Sequence, residues 1–301
     1  MNRKLSLVFL LLVLFTSTNT FAQTQLVLLG TGTPQQIPER GGPATAVVYS
    51  GVAYLFDAGP GVVRRASAAS SQRGIPALSA PNLRLVFLTH LHSDHTLGLP
   101  DLIFSPWVVG RHEPLEIYGP KGTREMIDHI EAAWRQDIDI RIHGLEHANE
   151  TGYKGIVHEV EPGFVYRDGA LTITAIPVHH GSWAQAYGYR IQTPDRVIVI
   201  SGDCAPSPAL IEACNGCDIL LHEVYEQAGM EQRGPGWIKY LHEFHTSPVE
   251  LGEIATKAHP KMLVLYHQVF SPGVETPEAL LDEVHRSYKG TVVSGKDLDV
   301  Y

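Results

Sequence analysis

The chain has 301 residues, of which 44% are apolar and 18% are charged. These proportions are typical of a globular protein with a sizeable core. The formal charge of −9 at neutral pH disfavours binding of long nucleic acids, which need clustered Lys and Arg.

The first 22 residues have the pattern of a secretory signal peptide. Arg3 and Lys4 precede a short apolar run, and Ala22 ends a small-x-small pattern before Gln23. The run is too short for a comfortable membrane span, although an uncleaved anchor is an alternative. Cleavage would remove Arg3 and Lys4, changing the formal charge from −9 to −11. We therefore expect a periplasmic or secreted protein, without membrane attachment, whose mature domain is residues 23–301.

The first half of the chain alternates between strand and helix patterns. Strands are predicted at 25–29, 45–49, 53–56 and 83–89, with a hairpin turn at Ser50-Gly51. A helix of small residues follows Asp57, and residues 123–134 place apolar side chains on one helical face. Residues 135–168 are polar and irregular, which predicts a loop or arm.

The second half repeats this style. Strands are predicted at 170–176, 197–201, 262–266 and 291–293. Ser207-Pro208, Ser247-Pro248 and Thr276-Pro277 each read as a hydroxyl N-cap followed by proline, which predicts three helix starts. The sequence therefore favours an α/β fold in which two sheets pack together with helices outside.

The strongest chemical signal is a cluster of metal-ligand residue types at the end of the 83–89 strand. His90 and His92 would point to the same side if that strand persisted, so they can bind one ion. Asp94 and His95, on the following turn, can face a second ion. A surface turn is the alternative, but this density of histidine and aspartate favours a metal site.

Four ligands do not complete two metal sites, and further candidates follow other predicted strands. They are His180 of the pair His179-His180, Asp203 and His267. Asp203 is the natural bridging carboxylate because each of its oxygens can face one ion. Only one member of the histidine pair is needed, and we favour His180 because glycine follows it, with His179 as the alternative.

The three cysteines leave two alternatives open. Cys214 and Cys217 can form a short local disulfide, which an oxidising compartment permits, or remain buried thiols. No thioredoxin-like context supports a redox-active pair. Cys204, the third cysteine, directly follows Asp203.

An ordered set of short motifs resembles the metallo-β-lactamase superfamily, specifically the branch of ribonuclease Z and its arylsulfatase-like relatives. The motifs span nearly the whole mature chain: Leu29-Gly-Thr-Gly-Thr-Pro34, Leu55-Phe-Asp-Ala-Gly59, Thr89 to His95, Leu97-Gly-Leu99, Ile117-Tyr-Gly-Pro120, His180, Gly188-Tyr-Arg190, Ser201-Gly-Asp203, His222-Glu223, His245-Thr-Ser247 and Leu265-Tyr-His267. The resemblance implies an αββα four-layer sandwich with its site at one edge.

The resemblance also implies roles for individual residues. One zinc ion would be held by His90, His92, His180 and Asp203, and the other by Asp94, His95, Asp203 and His267. Manganese or iron in one position is an alternative. His245 would protonate the leaving group, Glu223 would orient His245, and Asp94 would orient a hydroxide shared by the two ions. Asp57 would be structural or would support a ligand.

Three departures from ribonuclease Z bear on the substrate. The segment from Asp57 to Gly61 lacks the usual Glu and Gln, Glu223 is followed by Val-Tyr, and residues 135–168 are not rich in Lys and Arg. We therefore expect a hydrolase of small anionic phosphodiester or sulfate esters. Alternatives are a ribonuclease Z-like nuclease acting on RNA, a lactonase or β-lactamase, and a non-catalytic zinc-binding protein. Homodimers are expected only by analogy.

Overall fold

The computed structural model describes residues 23–271 and 276–301. The predicted signal peptide at residues 1–22 lies outside the described residues, so cleavage and export stay predictions. Within the described ranges, no helix combines the length and the hydropathy of a membrane span.

Two β-sheets form the centre of the molecule. The first sheet has six strands in chain order: β1 Gln25–Gly30, β2 Ala44–Tyr49, β3 Val52–Phe56, β4 Leu85–Phe87, β5 Leu115–Gly119 and β6 Gly155–Glu159. The second has seven strands in the order β13-β12-β11-β10-β9-β8-β7: β7 Val165–Asp168, β8 Leu171–Pro177, β9 Tyr187–Gln192, β10 Val197–Ile200, β11 Ile219–Tyr225, β12 Met262–Val269 and β13 Val292–Ser294. Strands β3 to β6 pair in parallel, as do β10 to β13.

Helices cover the outer face of each sheet. The described α-helices are α1 Val62–Gln72, α2 Ser93–Thr96, α3 Leu99–Val108, α4 Thr123–Ala133, α5 Arg135–His143, α6 Pro208–Cys214, α7 Gln227–Met230, α8 Pro235–Phe244, α9 Pro248–Ala258 and α10 Pro277–Val284. Short 3-10 turns occupy Pro76–Leu78, Ala80–Asn82 and Glu231–Arg233. Helices α1, α3 and α4 pack on the first sheet, whereas α6, α9 and α10 pack on the second.

Both faces of the central strands are buried because each faces a different apolar layer. In β1, Leu26 and Leu28 pack between the two sheets, while Val27 and Leu29 face the helices. Successive side chains of a strand point to opposite faces, which explains why these runs are continuously apolar rather than alternating. The expected αββα four-layer sandwich is confirmed.

Several predicted elements differ from the structure. The prediction that 135–168 is a loop or arm is wrong, because this stretch forms α5, β6 and β7. The expected strand 83–89 is reduced to β4 at Leu85–Phe87. The hairpin turn at Ser50-Gly51 is present, with both residues at the positive φ that tight hairpins require.

All three hydroxyl-proline helix starts are found, at α6, α9 and α10. Only Ser247 makes a side-chain capping hydrogen bond, within the expected capping box with Glu250. Cys214 and Cys217 form a disulfide at the end of α6, and Cys204 is a buried free thiol.

Candidate metal centre

The loop after β4 brings its histidines together without continuing the strand. The chain leaves the sheet after Phe87, so the predicted reason for convergence, strand alternation at His90 and His92, is wrong. The two rings nevertheless meet, with His90 Nε2 2.9 Å from His92 Nδ1. Asp94 and His95 lie in the short helix α2, one turn further along the chain.

A first group of ligand atoms gathers around these rings. His180, three residues beyond β8, places Nε2 3.1 Å from His92 Nδ1. Asp203, which follows β10, completes the group of His90, His92 and His180, whose ligand atoms all lie within 4.8 Å of one another. His179 instead lies 3.5 Å from Glu243 at the surface. The structure therefore brings His180 into the group and leaves His179 outside it.

Hydrogen bonds to the outer ring nitrogens orient this group. His180 Nδ1–H donates to the Phe244 carbonyl at 2.7 Å, and because a carbonyl only accepts, the lone pair of His180 Nε2 faces the centre. Trp183 Nε1–H donates to His92 Nε2 at 2.9 Å, which leaves the proton of a neutral His92 on Nδ1, facing His90 and His180. A cation bound there would replace that proton, and the Trp183 contact would then have to open.

A second group lies beside the first and shares its aspartate. It comprises Asp94, His95 and His267. His267 Nε2 is 3.2 Å from Asp94 Oδ2 and 3.3 Å from Asp203 Oδ2, and His95 Nε2 is 3.4 Å from the same Asp203 oxygen. Asp203 therefore reaches both groups, as expected of a bridging ligand.

Asp57 supports the second group from behind. Its Oδ2 accepts a hydrogen bond from His95 Nδ1 at 2.8 Å, and its Oδ1 accepts the Thr89 backbone N–H at 2.8 Å. Within the described part of the chain, His95 Nε2 and Asp203 Oδ1 are buried without any hydrogen-bond partner. Buried polar atoms rarely remain unpaired, so this donor set fits a bound cation.

Unusual backbone conformations place two of the ligands. His267 is the extra residue of a β-bulge, since Glu223 pairs with Tyr266 and Val224 with Gln268, and its φ is 42°. A bulge redirects a side chain out of the regular alternation, here toward the metal groups. Gly202, just before Asp203, has a φ of 63°, and a Cβ there would lie 2.6 Å from the Tyr187 carbonyl oxygen.

The electrostatics of the site balance carboxylates against imidazoles. Burial opposes the charged form of Asp203, but His267 and His95 hold the pKa of this carboxyl well below its usual range. Burial likewise opposes a charge on His95, yet Asp203 and Asp57 raise the pKa of its ring well above the ordinary value. Burial lowers the pKa of His180 to about 3. The carboxylates thus attract positive charge, while His180 stays neutral and able to bind a metal.

Glu223 and His245 form a buried pair next to the metal groups. His245 Nδ1 is 3.2 Å from Glu223 Oε2, and the other Glu223 oxygen accepts the Thr246 backbone N–H at 2.8 Å. Burial opposes a charge on His245, but Glu223 raises the pKa of the ring. A nitrogen of His245 also lies within 4.8 Å of ligand atoms of Asp203 and His267, so the ring can reach the reacting centre.

Both metal groups open into one cavity of about 330 Å³. Its floor includes His92, Asp94, Asp203, His245 and His267, and its walls come from α7, α8 and the loop after β1. Helix α8 was not predicted from the sequence, although its aromatic residues recur at helical spacing.

Comparison with known proteins identifies the family. The family model described as "Beta-lactamase superfamily domain" matches residues 53–268. A ribonuclease Z of Mycobacterium bovis is 33% identical over 278 residues, covering 91% of this chain and 96% of that protein. The chain belongs to the metallo-β-lactamase superfamily, in its ribonuclease Z branch. A ribonuclease Z of Mycobacterium sp. (strain KMS) is 34% identical over 256 residues, covering 83% of this chain and 87% of that protein.

Solved structures share the fold of this superfamily member. The metallo-beta-lactamase fold protein YhfI from Bacillus subtilis has a TM-score of 0.69 at 21% identity, covering 93% of this chain and all of that one. The short form of human tRNase Z has a TM-score of 0.67 at 24% identity, covering 92% and 98%. The superfamily match and the relatives named ribonuclease Z support a metal-dependent hydrolase with divalent metal, typically zinc, and the side-chain groups described above fit that requirement.

Proposed function

We propose that the chain is a two-zinc phosphodiesterase that cleaves phosphodiester bonds between ribonucleotides. The observation that carries the proposal is the buried Glu223–His245 pair beside two adjoining groups of metal-ligand atoms in one cavity. Relatives named ribonuclease Z at 33–34% identity support a phosphodiester over the sulfate ester that composition and motifs alone left open. None of those relatives favours an arylsulfatase.

His90, His92, His180 and Asp203 would hold one ion, and Asp94, His95, Asp203 and His267 the other. Two bound zinc ions would supply Lewis-acid stabilisation of phosphoryl oxygens and an activated water.

The remaining steps belong to the protein's own side chains. Glu223 accepts a hydrogen bond from His245 Nδ1, which fixes the ring so that Nε2 is directed away from the carboxylate. Burial opposes a charge on His245, but Glu223 raises the pKa of the ring, which favours its protonated form. From this position His245 would donate that proton to the departing oxygen of the ester. Asp94 would accept a hydrogen bond from the attacking water and orient it.

Charge favours short ribonucleotide substrates over a folded tRNA. The chain carries −9 overall, and residues 135–168 contain more carboxylates than Lys and Arg. Binding of long RNA relies on neutralising many phosphates, and this surface offers little for that purpose. Export, predicted from residues 1–22, would also separate the protein from cytoplasmic tRNA. Small ribonucleotide diesters are therefore the preferred candidates, and unprocessed tRNA is the second.

The central test is His245→Ala assayed on a diribonucleotide, an aryl sulfate and unprocessed tRNA. We expect zinc-loaded wild-type protein to cleave the phosphodiester. Loss of the proton donor should lower turnover by roughly 10²- to 10⁴-fold. His179→Ala, a surface variant 3.5 Å from Glu243, is the matched control and should keep full activity.

Zinc content measured by atomic absorption separates the two possible roles of His245. Retention of both ions in His245→Ala supports a proton donor, while loss of one ion would assign the ring to metal binding instead. Hydrolysis of the sulfate alone, or full activity in the variant, would contradict the proposal.

A further inference from the structure

Three aromatic side chains of helix α8 contact one another in a row that begins at the candidate metal ligand His180. Phe244, its last residue, packs edge-on against His180 with ring centroids 5.0 Å apart. Tyr240 stacks on Phe244 at 4.5 Å, and Trp237 meets the edge of Tyr240 at 5.5 Å. Their spacing of three and four residues puts all three rings on one helical face.

The outer two rings are open to solvent. Trp237 is 41% exposed and Tyr240 is 37% exposed, whereas Leu241 beside them is buried. Trp237 and Tyr240 line the same cavity as Asp203 and His245. Exposed aromatic rings that line a cavity are suited to recognising a planar group, because stacking needs a large flat surface and few hydrogen bonds.

Arg233 adds a positive charge to this surface. Its guanidinium carbon lies 3.6 Å from the centroid of the Trp237 ring, which is a close stacking contact. Among the side chains that the structure describes, no carboxylate is paired with Arg233. Nη1 of Arg233 donates to Met230 Sδ at 3.7 Å, and the remaining guanidinium donors can serve acceptors on a ligand. Arg233, Trp237 and Tyr240 are called the α8 platform below.

The α8 platform lies next to His245, and this position indicates which part of the substrate it would contact. Helix α8 ends at Phe244, and the next residue is His245, the proposed donor to the leaving oxygen. The group attached to that oxygen must therefore extend from His245, and the rings of α8 line the cavity beside it. The scissile phosphate itself would lie beside the two metal-ligand groups.

We propose that the α8 platform binds the nucleobase of the nucleotide on the leaving-group side of the scissile phosphodiester. The base would stack on the exposed aromatic surface, and Arg233 would donate to acceptors on its edge or on a flanking phosphate. Stacking of this kind tolerates any base, because every base has a flat face. The inference rests on the proposed function for the identity of the leaving group, but its binding test needs no turnover.

Binding of adenosine 5′-monophosphate and ribose 5-phosphate to the zinc-loaded protein tests the platform. Both probes carry the same phosphate, and only the first carries a base. We expect calorimetry to show a dissociation constant for adenosine 5′-monophosphate that is at least tenfold lower than that for ribose 5-phosphate. Trp237→Ala should weaken that affinity by roughly five- to a hundredfold, the range measured for loss of one base-stacking contact, and leave ribose 5-phosphate unchanged.

Trp134→Ala is the matched control, because Trp134 is also 41% exposed but lies against Phe104 outside the cavity lining. It should keep the affinity of the wild type for both probes. Trp237→Phe should keep most of the affinity that the base adds, because phenylalanine can still stack. This result would separate the loss of stacking from a change in folding. Arg233→Ala should weaken adenosine 5′-monophosphate as well.

Two results would overturn the inference. One is equal affinity of the wild type for the two probes, and the other is an unchanged preference for the base in Trp237→Ala. Phenyl phosphate extends the comparison to a simple aryl ester. If Trp237 strengthens the binding of phenyl phosphate but not that of adenosine 5′-monophosphate, the nucleobase assignment is wrong. Failure of the proposed function gives a different pattern, namely a base preference that depends on Trp237 in a protein that hydrolyses no phosphodiester.

Discussion

At the scale of single residues, the site is organised by what lies behind each imidazole. The Phe244 carbonyl fixes the proton of His180, the Asp57 carboxylate fixes that of His95, and in both cases Nε2 is left facing the centre. A ring whose outer nitrogen donates to a fixed acceptor binds a metal without first changing its tautomer. Asp57 and Phe244, which lie outside the metal-ligand groups, would therefore contribute to the affinity for a bound metal.

Asp57→Asn tests this contribution. Asparagine keeps the shape of Asp57, but its single amide oxygen can accept only one of the two hydrogen bonds, and its NH2 group would face either His95 Nδ1 or the Thr89 N–H as a competing donor. We expect zinc affinity to fall by roughly ten- to a hundredfold, the usual cost of losing such a partner. Competition with a chromogenic chelator measures the affinity.

Asp139→Asn, in which an exposed aspartate of α5 loses its charge, is the control and should leave zinc binding unchanged. If Asp57→Asn binds zinc as tightly as the wild type, the orientation of His95 does not depend on Asp57.

At the scale of elements, the start of α9 stabilises the segment that carries His245. Ser247 Oγ accepts the Glu250 backbone N–H at 3.3 Å, and Glu250 accepts the Ser247 N–H at 3.0 Å. We expect Ser247→Ala to lower the free energy of unfolding by about 1 kcal/mol, as is typical for a lost N-cap. Urea unfolding followed by circular dichroism measures this change.

Ser207 is a close control because it is also buried and also precedes a helix that begins with proline. It makes no side-chain capping hydrogen bond at the start of α6. Ser207→Ala should therefore cost clearly less than Ser247→Ala. Equal losses in the two variants would mean that the capping box adds nothing beyond the packing of a serine side chain.

Element patterns explain why some features were predictable from sequence and others were not. The apolar runs of β1, β10 and β12 are buried on both faces, so their composition alone predicts strands. Asp203 follows β10 and His180 follows β8, and these positions after predicted strands made both residues recognisable. Residues 135–168 form α5, β6 and β7 despite their polarity, because these elements lie at sheet edges or on the surface, where solvent accepts polar side chains.

Tertiary contacts carried the information that the sequence lacked. His267 reaches the metal groups through a bulge opposite Glu223, and no local pattern marks a single extra residue in a strand. Trp183 is 91 residues from His92 in the sequence, and the exposed rings of α8 precede His245 without belonging to its motif. Their relation to the site became visible only when His92 and His245 were placed beside them.

At the scale of the whole molecule, the four layers also bury a histidine that lies outside the metal-ligand groups. His222 lies in the middle of β11 with no exposed surface, and its Nδ1 is 2.7 Å from the Glu223 carbonyl oxygen. The metal-ligand groups of the described residues do not include it. Burial lowers the pKa of His222 to about 4. The folded protein therefore excludes a proton that the unfolded chain would bind at mildly acidic pH.

This difference predicts acid sensitivity of the fold. An unfolded histidine has a pKa of about 6.5, so between about pH 6.5 and pH 4 the unfolded chain binds more protons than the native state. The stability contributed by neutral His222 is complete above pH 6.5 and is lost as the pH falls toward 4, by roughly 3 kcal/mol in total. Urea unfolding at pH 7 and pH 4.5, with a chelator present so that metal release does not contribute, measures the loss.

His222→Asn removes the titrating ring while its amide can still donate to the Glu223 carbonyl. The variant should be less stable at pH 7 but should lose less stability than the wild type between pH 7 and pH 4.5. His112→Asn, at an exposed histidine, should follow the wild type, because that ring is hydrated in both states. If His222→Asn instead shows the full acid loss, the buried rings of His90 and His180, whose pKa values burial also lowers, carry the whole effect.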